Sequence, residues 1–156
     1  MNIAYALGRI FVPIVFIWEA ILKLINIGRF AKLLADSKVP VPDEIAPYLG
    51  GMPKYEALAW ALAVLELVCG LMILIGFMAR WGALLLVVFT AGTIFFVHNF
   101  WVMTGDAYEQ NLIHALKNLS IMGGLLLIVA VGSGLHSIDR RVPNRASASY
   151  FGKPPR

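Results

Sequence analysis

The chain is poor in charge and almost without cysteine. Charged residues are 14% of its 156 positions and hydrophobic residues 60%, whereas a soluble domain is nearer a quarter charged and half apolar. With a mean hydropathy of +0.78, this excludes an ordinary soluble globule and predicts an integral membrane protein. The one cysteine, Cys69, can form neither an intrachain disulfide nor a dithiol redox pair. That argues against membrane disulfide-generating enzymes that work through paired cysteines, and a thiol inside an apolar run is expected to pack. No Walker loop, dinucleotide fingerprint, HExxH or GxSxG element occurs, so no catalytic motif announces an enzyme. The formal charge of +4 comes mostly from the last residues and is not a nucleic-acid signal.

What is present is apolar length. A spanning helix needs ~20 mostly apolar residues, and four segments qualify, at about 3–25, 57–79, 82–103 and 112–135. The expected fold is all-α, an integral membrane four-helix bundle over residues 1–141 with a polar tail, 142–156. With no basic cluster ahead of it, the first segment reads as a retained helix rather than a signal peptide. The long connection, 26–56, opens with RFAKLLADS (29–37), a candidate interfacial amphipathic helix. Pro40, Pro42, Pro47 and Pro53 then forbid a long regular element. Arg80-Trp81 is expected as a tight turn, and 104–110 as a short acidic loop.

Orientation follows from basic residues near span ends. Arg80, Arg140, Arg141, Arg145, Lys153 and Arg156 share one side. On the other, Arg29, Lys32, Lys38 and Lys54 are diluted by Asp36, Asp43, Glu44, Glu56, Asp106 and Glu109. Both termini are therefore expected in the cytoplasm, with the 26–56 loop outside.

In that orientation the intramembrane polar residues converge in the outer half. Arg9 is close enough to the helix start to snorkel. Glu19 and Lys23 lie at i, i+4 late in the first span. Glu66 is nine residues into the second, ~14 Å at 1.5 Å per residue. His98 ends the third. His114, Lys117 and Asn118 open the fourth from one helix face. Charges at such depth must be answered, and the simplest assignment pairs Lys117 with Glu66 and Glu19 with Lys23. Ala20, Ala63, Gly70, Gly92, Ala115, Gly123 and Gly124 would allow close helix approach. Two readings stand side by side: interhelical glue, or a ligand-binding polar pocket built from Glu19, Lys23, Glu66, His98, His114, Lys117 and Asn118. A bis-histidine haem on His98 and His114 is chemically conceivable, although histidines near helix ends are more often hydrogen-bonded.

Several local patterns together resemble one family. Gly8-Arg9 and a late Lys23 open the chain, followed by an aromatic–leucine stretch and a V-P turn between Phe30 and Pro40. Then comes E-L-x-x-G-L-x-x-L-I-G-x-x-x-R-x-x-A from Glu66 to Ala83, and His98 closes the third segment. The pattern, from Ala4 to Arg141, resembles the DoxX family of bacterial membrane proteins, with Glu66, Arg80 and His98 at shared positions. The resemblance implies a four-helix bundle in the bacterial inner membrane. It also implies an accessory membrane subunit in quinone-linked or oxidative-stress redox chemistry, with quinone as the possible cofactor and a protein partner or homo-oligomer in the bilayer. If the chain takes part in an enzyme, it is as part of a quinone-linked oxidoreductase. Its rivals are a structural assembly subunit that docks a partner protein, and a small-molecule transporter.

The topology is directly testable. Single cysteines placed between 36 and 44 should react with a membrane-impermeant maleimide added to intact spheroplasts, and cysteines in the tail should not. Tail labelling with a protected loop would invert the orientation.

Overall fold

The computed structural model describes residues 3–132. The tail 142–156, His136 and the last residues of the fourth apolar segment lie outside the described residues. Within them every regular element is helical: α1 (Ile3–Ile25), α2 (Ile27–Asp36), α3 (Lys54–Ile75), α4 (Ala79–Phe96) and α5 (Gly105–Val131), with short 3-10 helices at Asp43–Leu49 and Phe100–Val102. Three stretches, Lys54–Ile75, Ala79–Val102 and Gly105–Val131, are long and apolar enough to cross a membrane. α1 and α2, bent by 99° at Asn26, make a fourth if the bent pair counts as one span. Many large apolar side chains point outward, among them Phe11, Trp18, Val88 and Leu127. Water would penalise such a surface, and lipid tails accept it.

α1 packs along α3, α3 along α4, and α4 along α5. Small residues set how closely they approach. Ala20, Ala63, Ala79 and Ala83 are fully buried. A Cβ added to Gly70 would lie 2.8 Å from Cγ1 of Ile17, and one added to Gly82 would lie 3.1 Å from the Cys69 carbonyl oxygen. Of the glycines expected at contacts, Gly92 and Gly123 have open space around them. Cys69 is buried in the main core with Phe16, Ile73, Leu86, Leu125 and Ile128. Arg9 is only 7% exposed, turned into the protein instead of snorkelling outward. α1 continues through Pro13 without ending.

Two connections differ from the sequence expectation. The turn between α3 and α4 is at residues 76–78, not at Arg80-Trp81. Gly76 takes a left-handed conformation (φ 72°), and the Phe77 N–H donates to the Met72 carbonyl at 2.9 Å, a Schellman closure that only glycine adopts without strain. Arg80 thereby falls in the first turn of α4, from which its guanidinium donates to the Ala130 and Val131 carbonyls at the end of α5 (3.2 and 3.4 Å). The Tyr5 hydroxyl donates to the carbonyl of Gly132. α1, α4 and α5 are thus tied together at this end. The expected acidic loop 104–110 is instead the start of α5. Thr104 is extended, and Asp106 and Glu109 follow it, where acidic side chains complement the positive end of the helix dipole.

At the other end, α2 is the amphipathic segment expected there. Phe30 and Leu34 are buried against Ala59 of α3, with Tyr55 and Leu58 beside them. The 3-10 turn is pinned to α3 by Lys54, which donates to Asp43 at 2.6 Å. That bond, with the Lys54 charge, holds the Asp43 carboxyl below its ordinary range. The pair's small, solvent-screened contribution is present at neutral pH and lost as acid protonates Asp43.

Gly82 against the Cys69 carbonyl is the contact least able to yield, because the neighbour is backbone. Gly82→Ala should therefore destabilise the detergent-solubilised protein by ~1–3 kcal/mol. Gly123→Ala, into open space on an exposed helix face, should be neutral or slightly stabilising. Thermal unfolding of the two variants against wild type checks this; equal shifts would contradict the packing described.

Candidate functional site

The centre of the site is an ion pair between α1 and α3. Lys23 Nζ donates to Oε2 of Glu66 at 2.6 Å, and Glu66 is only 2% exposed. The register comes from the α1–α3 contact: Gly70, one turn after Glu66, lets Ile17 in closely, which brings the next turns of α1 alongside Glu66. Oε2 of Glu19, one turn before Lys23, stands 3.9 Å from Nζ and is itself half exposed. Nζ also lies 5.5 Å from the ring centre of Phe30 and 5.4 Å from that of Phe89, within cation–π range. This corrects the sequence-based pairing. Glu66 takes Lys23 rather than Lys117, and Glu19 is the secondary partner of Lys23. Lys117 is exposed and makes no ion pair among the described residues.

A cavity of about 640 Å³ opens around the pair. It is lined by all seven residues singled out from the sequence: Glu19, Lys23, Glu66, His98, His114, Lys117 and Asn118. Most of its remaining wall is apolar, including Val15, Phe16, Leu58, Leu62, Val88 and Ile121, and α2 closes one end with Phe30, Leu33 and Leu34. The size and the mix of apolar wall with a few polar groups suit an organic ligand.

His98 lies just beyond α4, its N–H bonded to the Thr93 carbonyl at 3.0 Å. Its ring stacks on His114 of α5, centroids 4.9 Å apart and planes 12° from parallel. Asn111 Oδ1 is 3.0 Å from His98 Nδ1. The rings present faces to each other, whereas a haem iron between two histidines needs nitrogens pointing at it. The described residues contain no group of three or more His, Cys, Asp or Glu able to hold a metal ion. A second cavity of about 610 Å³ shares His98, His114, Leu33, Phe96 and Val97 with the first. Its other walls are Asp36, Ser37, Lys38, Asn99, Gln110 and Asn111, with Met103. The stacked histidines therefore line both cavities, of which the second is the richer in polar groups.

Sequence reasoning missed the two rings around Lys23 and the role of Asn111. Asn111 precedes His114 by three residues, on the same face as His114, Lys117 and Asn118, so its part was open to detection. Phe30 reaches Lys23 only because the chain turns at Asn26, which no local periodicity signals.

An all-helical membrane protein with a mainly apolar chamber around a buried ion pair, walled by four of its long helices, is the class that fold and site define. The chain belongs to the DoxX family, whose model matches residues 4–99. Residues 52–150 also match the family described as TQO small subunit DoxD, TQO being thiosulfate:quinone oxidoreductase. The chain is 33% identical over 136 residues to the Inner membrane protein YphA of Escherichia coli (strain K12), covering 86% of this chain and 87% of that protein. It is 37% identical over 103 residues to the Inner membrane protein YqjF of the same organism, covering 62% of this chain and 75% of that one. It is also 30% identical over 128 residues to the Uncharacterized membrane protein Rv3486 of Mycobacterium tuberculosis (strain ATCC 25618 / H37Rv), covering 71% and 73%. No solved structure matches the chain.

Removing one member of the buried pair strands the other. Lys23→Met or Glu66→Gln alone should each cost ~3–5 kcal/mol if the pair is shielded from water, and less if water fills the chamber. The double variant should recover much of the loss, and Lys117→Met should cost little. A double-mutant cycle on unfolding in detergent reads the coupling. Additive losses would show that Lys23 and Glu66 are not coupled.

Proposed function

We propose that this chain is an accessory membrane subunit of quinone-linked redox chemistry, and that its chamber receives a quinone headgroup. In this reading it is a four-span bundle in the bacterial inner membrane, both termini cytoplasmic and the chamber in the outer half. The observation that carries the reading is the match of residues 52–150 to a family described as the small subunit of a quinone-linked oxidoreductase. The chamber supports it. A quinone carbonyl can accept hydrogen bonds from Lys23, from His98 or His114, or from the Asn118 amide, while apolar walls meet the ring and tail. A bound quinone would supply electron- and proton-carrying chemistry. The residues of this chain would orient the headgroup, keep it from bulk water, and offer Glu66 and the histidines as nearby proton-exchanging groups. A small subunit calls for a protein partner, and we place the chemistry beyond the quinone on that partner.

One observation favours the rival reading, a purely structural assembly subunit. Lys23 and Glu66 satisfy each other at 2.6 Å, as glue would. Purification from native membranes in mild detergent, with mass spectrometry of both proteins and extracted lipophiles, separates the two. The redox reading expects a quinone at near-stoichiometric amount, lost in Lys23→Met/Glu66→Gln even where that double variant is stable. A stoichiometric protein partner with no quinone would establish the structural reading instead.

A further inference from the structure

The seam between α1 and α5 changes along its length. At the end held by Tyr5, Arg80 and Gly132 the two helices meet. The Tyr5 hydroxyl bonds the Gly132 carbonyl, and a Cβ on Gly124 would lie 3.1 Å from Cγ2 of Val12. Helical spacing carries these contact stripes onward: Val12, Phe16, Glu19 and Lys23 share one face of α1, and Gly124, Ile121, Lys117 and His114 one face of α5. Yet from Phe16 and Ile121 onward both stripes line the chamber. Val15 and Glu19 at the α1 edge, and Lys117 at the α5 edge, line the chamber while remaining exposed. The seam is closed at one end and open beside the chamber.

The geometry points to a lateral portal between α1 and α5, through which a neutral membrane amphiphile enters the chamber headgroup first and leaves its tail in the bilayer past Val15 and Ile121. This rests on the membrane placement proposed above. Three features specify the ligand. The opening is on a helix flank that faces lipid when the helices span, so the route suits a molecule already dissolved in the bilayer. The groups at the gap, Glu19 and Lys117, are opposite in sign, and so are Lys23 and Glu66 inside; neither set leaves a net charge for an ionic headgroup to answer. The walls between them are mainly apolar, which suits a tail. A neutral headgroup with hydrogen-bonding oxygens fits this better than an anionic phospholipid.

The test narrows the portal without touching the chamber's polar groups. Wild type, Val15→Trp, Ile121→Trp and, as a control on an exposed face of α3, Val64→Trp are purified in nanodiscs of neutral lipid. Retained lipophiles are identified by mass spectrometry. Binding is measured for decylubiquinone, which has a tail, for ubiquinone-0, which has none, and for added phosphatidylglycerol. In Val15→Trp and Ile121→Trp, decylubiquinone should bind about tenfold more weakly, the order of a lost apolar contact, with ubiquinone-0 within about twofold of wild type. Val64→Trp should match wild type for both. Decylubiquinone binding unchanged in both portal variants would overturn the portal and leave the quinone reading standing. A neutral, non-quinone amphiphile retained by wild type and lost from the portal variants would uphold the portal and remove quinone. Preferential retention of phosphatidylglycerol would overturn the neutral-ligand assignment. A wild type that retains no amphiphile and binds neither quinone would overturn portal and quinone reading together.

Discussion

The ion pair between Lys23 and Glu66 sets the terms for the rest of the structure. A carboxyl only 2% exposed in an apolar helix holds a charge at bearable cost when a cation is in direct contact. That contact exists only if α1 and α3 hold one register. The small residues along their interface follow from this requirement: Gly70 admits Ile17, and Ala20 and Ala63 are buried without any exposure. The pair also shapes the chamber, because Lys23 reaches toward the rings of Phe30 and Phe89 instead of leaving the protein. Buried charge, close helix approach and the aromatic surroundings of one ammonium are therefore a single arrangement.

The helices and the shared level of the polar residues along them were legible in the sequence. Apolar length marks spanning helices because backbone groups in lipid must be satisfied within the segment. The position of Glu19, Glu66, His98 and His114 along those segments fixes their level. That is why all seven selected residues line one chamber. The choice of partner was not legible. Depth alone leaves Lys23 and Lys117 equally placed for Glu66. The decision rests on which face of α1 turns toward α3, and that depends on glycine and alanine contacts between segments far apart in sequence. The start of α5 was misread for a different reason: Asp106 and Glu109 look like loop residues by polarity, but acidic side chains also favour the first turns of a helix.

The segment from Glu66 to Ala83 that carries the family resemblance serves two ends of the molecule at once. Glu66 anchors the chamber. Gly76 closes α3 in a left-handed turn, and Arg80 caps the carbonyls at the end of α5. One short stretch thus builds the polar centre, the left-handed turn between α3 and α4, and the far clamp. The matches to the DoxX and DoxD families both include it, since it falls within 4–99 and within 52–150.

The clamp at Tyr5, Arg80 and Gly132 fixes one end of α5. Gly124, where α1 is still in contact, is eight residues from Gly132, ~12 Å along the axis at 1.5 Å per residue. His114 is eighteen residues away, ~27 Å. A tilt of about 5° about the clamp moves the helix by ~1 Å at Gly124 and by roughly 2 Å at His114. A displacement of roughly 2 Å is large against a stacking distance of 4.9 Å between two imidazoles. The histidine pair therefore sits far from the clamp, where a slight rocking of one helix becomes a separation of two rings.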